Sequence, residues 1–110
     1  MIAALKGEGP LPPQGQRLSG ALDWQRRYRL MRLHFAAEIV LELVNRIFGK
    51  PVKIGAHIAQ DKARLDFLWD GRISDVFDVL EEHALRIIEA DLPIASGYTD
   101  RAQERRFWEI

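Results

Sequence analysis

The chain has no cysteine, which removes disulfide scaffolds, thiol nucleophiles and cysteine-based zinc ribbons in one step. Any metal it holds must rest on His, Asp or Glu. Excess charge of either sign is also absent: 16 Lys and Arg stand against 16 Asp and Glu. No global basic field draws the protein to nucleic acid, so any such attraction is local. Long hydrophobic runs are missing too. Charges interrupt the apolar stretches every few residues, far short of the ~20 apolar residues that cross a bilayer. The N-terminus carries no apolar signal-peptide segment, and the expectation is a soluble cytoplasmic protein with no membrane partner. Nothing matches a phosphate-binding loop, a nucleophile elbow or a dinucleotide fingerprint.

What is present fits one small folded domain: 110 residues, 47% hydrophobic and 29% charged, close to the globular average. Residues 1–16 read as an extended lead-in, because positions 7–16 hold three Gly and three Pro, which block helix and central strand. Residues 17–110 read as a single α+β domain. Alternation of Leu18, Gly20 and Leu22 suggests a short strand over 17–22, after which Asp23 is placed to cap a helix. From Trp24 to Phe48, apolar residues recur at helical steps through Leu33, Ala37, Val40, Leu41, Val44, Ile47 and Phe48, and Gly49 with Pro51 supplies the stop. Val52, Ile54, Ala56 and Ile58 then alternate as in a half-buried strand. A second strand spans 63–69, with Gln60, Asp61 and Lys62 as the hairpin loop. Ser74 is the expected cap of a second amphipathic helix ending near Asp91, before Pro93. A strand over 94–98, a short helix from Thr99 to Arg105 and a strand starting at Phe107 complete the expected order. The fold class is α+β, an antiparallel sheet with two long amphipathic helices packed on it.

Three features bear chemistry. His34 and Glu38 lie four residues apart on the long helix, so imidazole and carboxylate share a face and can converge on one cation, or simply form a surface pair. His57 and His83 add no ligand by spacing, and His83 reads as a solvated or weakly ion-paired side chain on an acidic helix surface. Charge is segregated: residues 17–32 carry five arginines (Arg17, Arg26, Arg27, Arg29 and Arg32) against Asp23, interleaved with Trp24 and Tyr28. Guanidinium forks suit phosphate and aromatic rings suit unstacked bases, so this segment can contact single-stranded or terminal RNA; on residue types alone, ordinary solvated helix faces or pairing with acids of neighbouring elements is the commoner explanation. Residues 75–91 carry six acidic residues against Arg86, so this helix should face away from RNA. Finally, Arg64 and Asp66 point to one side of their strand, as an ion pair or as groups offered to a ligand.

The order of these pieces resembles a specific family. Glu8-Gly9-Pro10-Leu11-Pro12, Leu22-Asp23-Trp24-Gln25-Arg26-Arg27, Met31-Arg32-Leu33-His34, Ala56-His57-Ile58, Ala63-Arg64-Leu65-Asp66-Phe67, Glu81-Glu82 and Arg106-Phe107-Trp108-Glu109-Ile110 follow one another as in the editing domain of alanyl-tRNA synthetases. Free-standing alanyl-tRNA editing proteins share that domain, and the threonyl-tRNA synthetase editing domain is related to it. The resemblance implies an editing-domain fold and a zinc-dependent hydrolase that removes a wrongly attached amino acid, usually serine or glycine, from the tRNA acceptor end. The family holds zinc with His-x-x-x-His on the long helix and Cys-x-x-x-His further on. Only His34 matches a histidine of the first motif, with Glu38 at its second position; the segment bearing the second motif would follow Ile110. Phe35 stands where the family usually has Thr, Leu85 where it often has Asn, and the glycine-rich strand region that precedes the lead-in is missing.

By this resemblance His34 and Glu38 would hold zinc or position water, and Asp66 would join them in the catalytic set. Arg26, Arg27, Arg32 and Arg64 would bind the tRNA acceptor end. Two function classes follow: an aminoacyl-tRNA editing hydrolase with an incomplete zinc site, or a non-catalytic module of the same fold that binds tRNA or forms a homodimer. The chain as part of a longer product is a third reading of the missing ligands.

Overall fold

The computed structural model describes residues 7–102. Residues 7–16 run without regular structure as expected, broken by a turn in which the Gln16 N–H donates to the Pro13 carbonyl at 3.2 Å. Gly15 sits there at φ 85°, the left-handed value that a type II turn demands at its third position.

Helix α1 spans Trp24–Phe48. It starts where it does because the Asp23 side chain accepts from the Arg26 N–H at 3.1 Å, satisfying one of the donors that a helix start leaves orphaned. It stops because Gly49 and Lys50 both turn left-handed, at φ 74° and 59°, and the Lys50 N–H folds back onto the Asn45 carbonyl at 3.1 Å. Pro51 then prevents resumption.

Strands β1 (Lys53–Ile58) and β2 (Ala63–Phe67) pair antiparallel, with Gly55 opposite Asp66, His57 opposite Arg64 and Ile58 opposite Ala63. The hairpin falls at the expected residues and is closed by Ala59 N–H donating to the Lys62 carbonyl at 2.8 Å. Ladder pairing jumps from Lys53 with Phe67 to Gly55 with Asp66, leaving Ile54 as an inserted residue in a β-bulge. The bulge breaks the alternation that the sequence suggests: Val52 and Ile54 are both exposed, Ile54 to 66%.

A 3-10 turn, Ile73–Val76, leads into helix α2, Phe77–Glu89. Ser74 is therefore not the helix cap. It lies inside the turn, where its carbonyl accepts from the Phe77 N–H. The sheet among the described residues has two strands only. The strands expected over 17–22 and 94–98 do not form: neither segment has a neighbouring strand among the described residues to complete its ladder, and Leu18, Leu22 and Ile94 are exposed. The backbone is helical at 101 and 102, in keeping with the expected short helix, whose remainder, like the strand from Phe107, lies outside the described residues.

The second half of α1 is the hub. Ala37, Leu43 and Val44 are its buried apolar residues, with Val44 only 2% exposed. One groove brings Leu33 and Val40 of α1 together with Leu65 and Phe67 of β2 and Phe77 and Leu80 at the start of α2. Phe48 meets Trp69 edge to face at 5.2 Å, tying the end of α1 to the segment after β2. This is a small α+β body with both helices gathered on one side of a hairpin, where apolar burial supplies the main stabilisation.

Candidate functional site

The polar side of the hairpin follows from its register. Leu65 and Phe67 face α1, so Arg64 and Asp66 face the other way. Arg64 Nε lies 3.1 Å from Asp66 Oδ2, the surface ion pair that their spacing allows, and His57 is cross-strand from Arg64 on the same side. Gly55 opposite Asp66 has a packing reason: a Cβ there would come within 2.8 Å of Asp66 Oδ2, so glycine lets the carboxylate lie over the backbone and reach Arg64.

On α1, His34 Nε2 is 3.6 Å from Glu38 Oε1, both side chains mostly exposed. The helical spacing thus brings together the two residues expected to act as a pair. The hairpin brings together Arg64 and Asp66, and no hydrogen bond or ion pair joins one pair to the other among the described residues. No group of three or more His, Cys, Asp or Glu capable of holding a metal occurs among the described residues. A hydrolytic zinc takes about three protein ligands and an open position. Two donors on one helix turn do not fit that requirement, so no chemistry is derived through zinc.

His83 departs from the solvated role expected of it. It is half-buried on the inner side of α2, and its Nδ1 lies 2.8 Å from the Val79 carbonyl, a contact in which the N–H of the ring donates to the backbone.

The most distinctive surface is the first half of α1. Trp24 and Tyr28 stack with centroids 6.3 Å apart and planes 25° from parallel. The Arg32 guanidinium carbon sits 5.8 Å from the Tyr28 ring centroid, within cation–π range. Trp24 and Tyr28 are 60% and 50% exposed. Arg26, Arg27, Arg29 and Arg32 make no ion pair with a described acid, whereas Arg46, Arg64 and Arg86 are paired with Glu42, Asp66 and Glu82. The residue types here were legible in the sequence. The aromatic ridge was not drawn from it, although the spacing 24, 28, 32 is the signal that finds it.

Comparison with known proteins adds the relationship. Alanine–tRNA ligase of Methanopyrus kandleri is 39% identical over 103 residues, covering 91% of this chain and 11% of the ligase. Alanyl-tRNA editing protein AlaX-M of Saccharolobus solfataricus is 35% identical over 88 residues, covering 80% of this chain and 36% of that protein. The AlaX-M protein of Methanosarcina acetivorans is 32% identical over 80 residues, covering 73% of this chain and 32% of its own length. The chain thus spans about a tenth of the ligase and about a third of the editing proteins it matches. No family model and no solved structure matches it. The α+β body is therefore a segment shared by a ligase and by free-standing proteins named for alanine and its tRNA. The chain belongs to the alanyl-tRNA editing family.

Proposed function

We propose that this chain works in alanyl-tRNA editing in the cytoplasm and engages the acceptor end of a mischarged tRNA. The observation that carries the reading is the 35% identity to an alanyl-tRNA editing protein across 80% of the chain. The unpaired arginines of α1 support it: Arg26, Arg27 and Arg32 supply phosphate-binding forks where no described acid competes for them. Arg64 is the weaker RNA contact, because Asp66 already occupies its guanidinium at 3.1 Å.

The reaction class implied by the resemblance is hydrolysis of the ester between amino acid and tRNA. In that reaction His34 would accept a proton from water and Glu38 would orient the imidazole, while Asp66 and Arg64, on the face of the hairpin turned away from α1, stand outside that pair. The test is deacylation of tRNA(Ala) mischarged with serine or glycine, run with the wild-type chain and with His34→Ala. Hydrolysis lost in the variant supports the hydrolase. Hydrolysis equal to the uncatalysed rate, with mischarged tRNA still bound, supports a tRNA-binding module without catalysis.

A homodimeric module is the second reading, favoured by one observation. The outer side of α2 presents Leu85 and Ile88 to solvent, Ile88 to 67%, and burial of such side chains drives association. Sedimentation of the purified chain tests it: a concentration-independent monomer removes this reading.

A further inference from the structure

We infer that Trp24, Tyr28 and Arg32 form a stacking ladder that receives unpaired bases of a single-stranded RNA segment, with Arg27 and Arg29 beside it on the phosphates. The inference rests on the proposed tRNA contact and specifies its chemistry. Positions 24, 28 and 32 rise one above another along a single helix ridge, and the ring and guanidinium distances of 6.3 Å and 5.8 Å make that ridge continuous. The ridge lies before Ala37, the first buried residue of α1, and every residue from Trp24 to Arg32 except the half-buried Leu30 is exposed. Its aromatic area is thus outside the core that the described residues form.

Charge decides which partner fits. Aromatic rings and a methionine at the surface would suit a protein partner as well, but four arginines without an ion pair among the described residues share this stretch of helix, and a second copy of the same helix would meet them with like charge. A polyanion with planar faces satisfies both features: phosphates take the guanidinium forks, and bases take the ring faces. A duplex hides its base faces in the stack, so the ladder selects single-stranded over double-stranded RNA.

The experiment is fluorescence anisotropy on the full chain with three probes: a labelled unstructured 12-nucleotide RNA, a 12-base-pair RNA duplex, and tRNA(Ala). Unlabelled inorganic polyphosphate serves as competitor. Variants are Trp24→Ala, Tyr28→Ala and Trp24→Phe, with circular dichroism to confirm an unchanged fold. The expected result is about tenfold weaker binding of the single strand in each alanine variant. Duplex binding and polyphosphate competition should stay unchanged, Trp24→Phe should restore most of the affinity, and bound single strand should quench tryptophan emission in wild type more than in Trp24→Phe. Single-strand affinity unmoved by Trp24→Ala, or lost in parallel with duplex and polyphosphate binding, overturns stacking while leaving the tRNA contact standing. Wild-type protein that binds the 12-nucleotide strand in a Trp24-dependent way but ignores tRNA(Ala) keeps the ladder and overturns the proposed tRNA contact. Sedimentation showing a dimer that Trp24→Ala dissociates would assign the ridge to a protein partner and overturn the inference.

Discussion

The first half of α1 and the whole of α2 are both charged amphipathic helices, and they are built on opposite plans. α2 turns Leu80, Ala84 and Ile87 inward, leaves Asp78, Glu81, Glu82 and Glu89 outward, and neutralises its one arginine locally, Arg86 against Glu82. The first half of α1 has most of its residues exposed and leaves its arginines without acidic partners among the described residues, though the same helix pairs Arg46 with Glu42 at 2.6 Å further along. Charge on α2 is what an exposed helix face needs for solubility. Charge on the free half of α1 is unbalanced: the acid four residues before Arg27, Asp23, is engaged as the helix cap, and no Asp or Glu stands four residues before Arg26, Arg29 or Arg32, as one does for Arg46 and Arg86. A surface whose charges are left open while equivalent ones are closed is a surface suited to an anionic partner.

The comparison breaks most sharply at the hub. Leu43→Ala removes a buried side chain from the half of α1 that α2 packs against, and it should cost about 2–4 kcal/mol of stability. In a urea titration followed by circular dichroism, both helices should melt earlier together. If only α2 melts, the two are not one cooperative body. The reverse cut is Arg26→Glu with Arg27→Glu, which should leave the melting midpoint nearly unchanged and weaken tRNA binding on the order of a hundredfold at low salt, with a shallower salt dependence. Equal tRNA affinity in this double variant would make the open charges a solvated face and nothing more.

Two smaller changes sharpen the contrast. Asp23→Ala deletes the 3.1 Å cap bond to the Arg26 N–H and should cost about 1 kcal/mol, read as fraying of the first turn in amide hydrogen exchange while α2 stays protected. Arg86→Ala breaks only an exposed pair on α2, so a stability change within about 0.5 kcal/mol and no change in tRNA binding are expected. A tRNA effect from Arg86→Ala equal to that of Arg26→Glu with Arg27→Glu would erase the distinction between the two helices.

Local chemistry determined much of this protein from the sequence alone. Asp23 and Gly49 act through the backbone of their own neighbours, so the limits of α1 were readable. The hairpin loop at 60–62 and the pairs His34 with Glu38 and Arg64 with Asp66 depend on spacing of four or two residues, and they stand as the spacing implied. The family resemblance likewise rests on the order of residues, and the relatives bear it out.

Tertiary structure decided what depends on distant partners. Leu18 and Ile94 sit in alternating patterns, yet a strand exists only when another strand supplies its hydrogen bonds, and neither segment has one among the described residues. The bulge at Ile54 arises from pairing with β2, and it exposes two residues that alternation alone would half-bury. Ser74 has the side chain of a cap but is drawn into a 3-10 turn that aims Phe77 and Leu80 at the groove beside Leu65 and Phe67. The periodicity of α1 is helical throughout its length, so nothing in it marks where packing ends. Which half is hub and which half is open to a partner was fixed only when β2 and α2 folded against Ala37, Leu43 and Val44, because burial is a property of the assembled surfaces and not of the helix that supplies one of them.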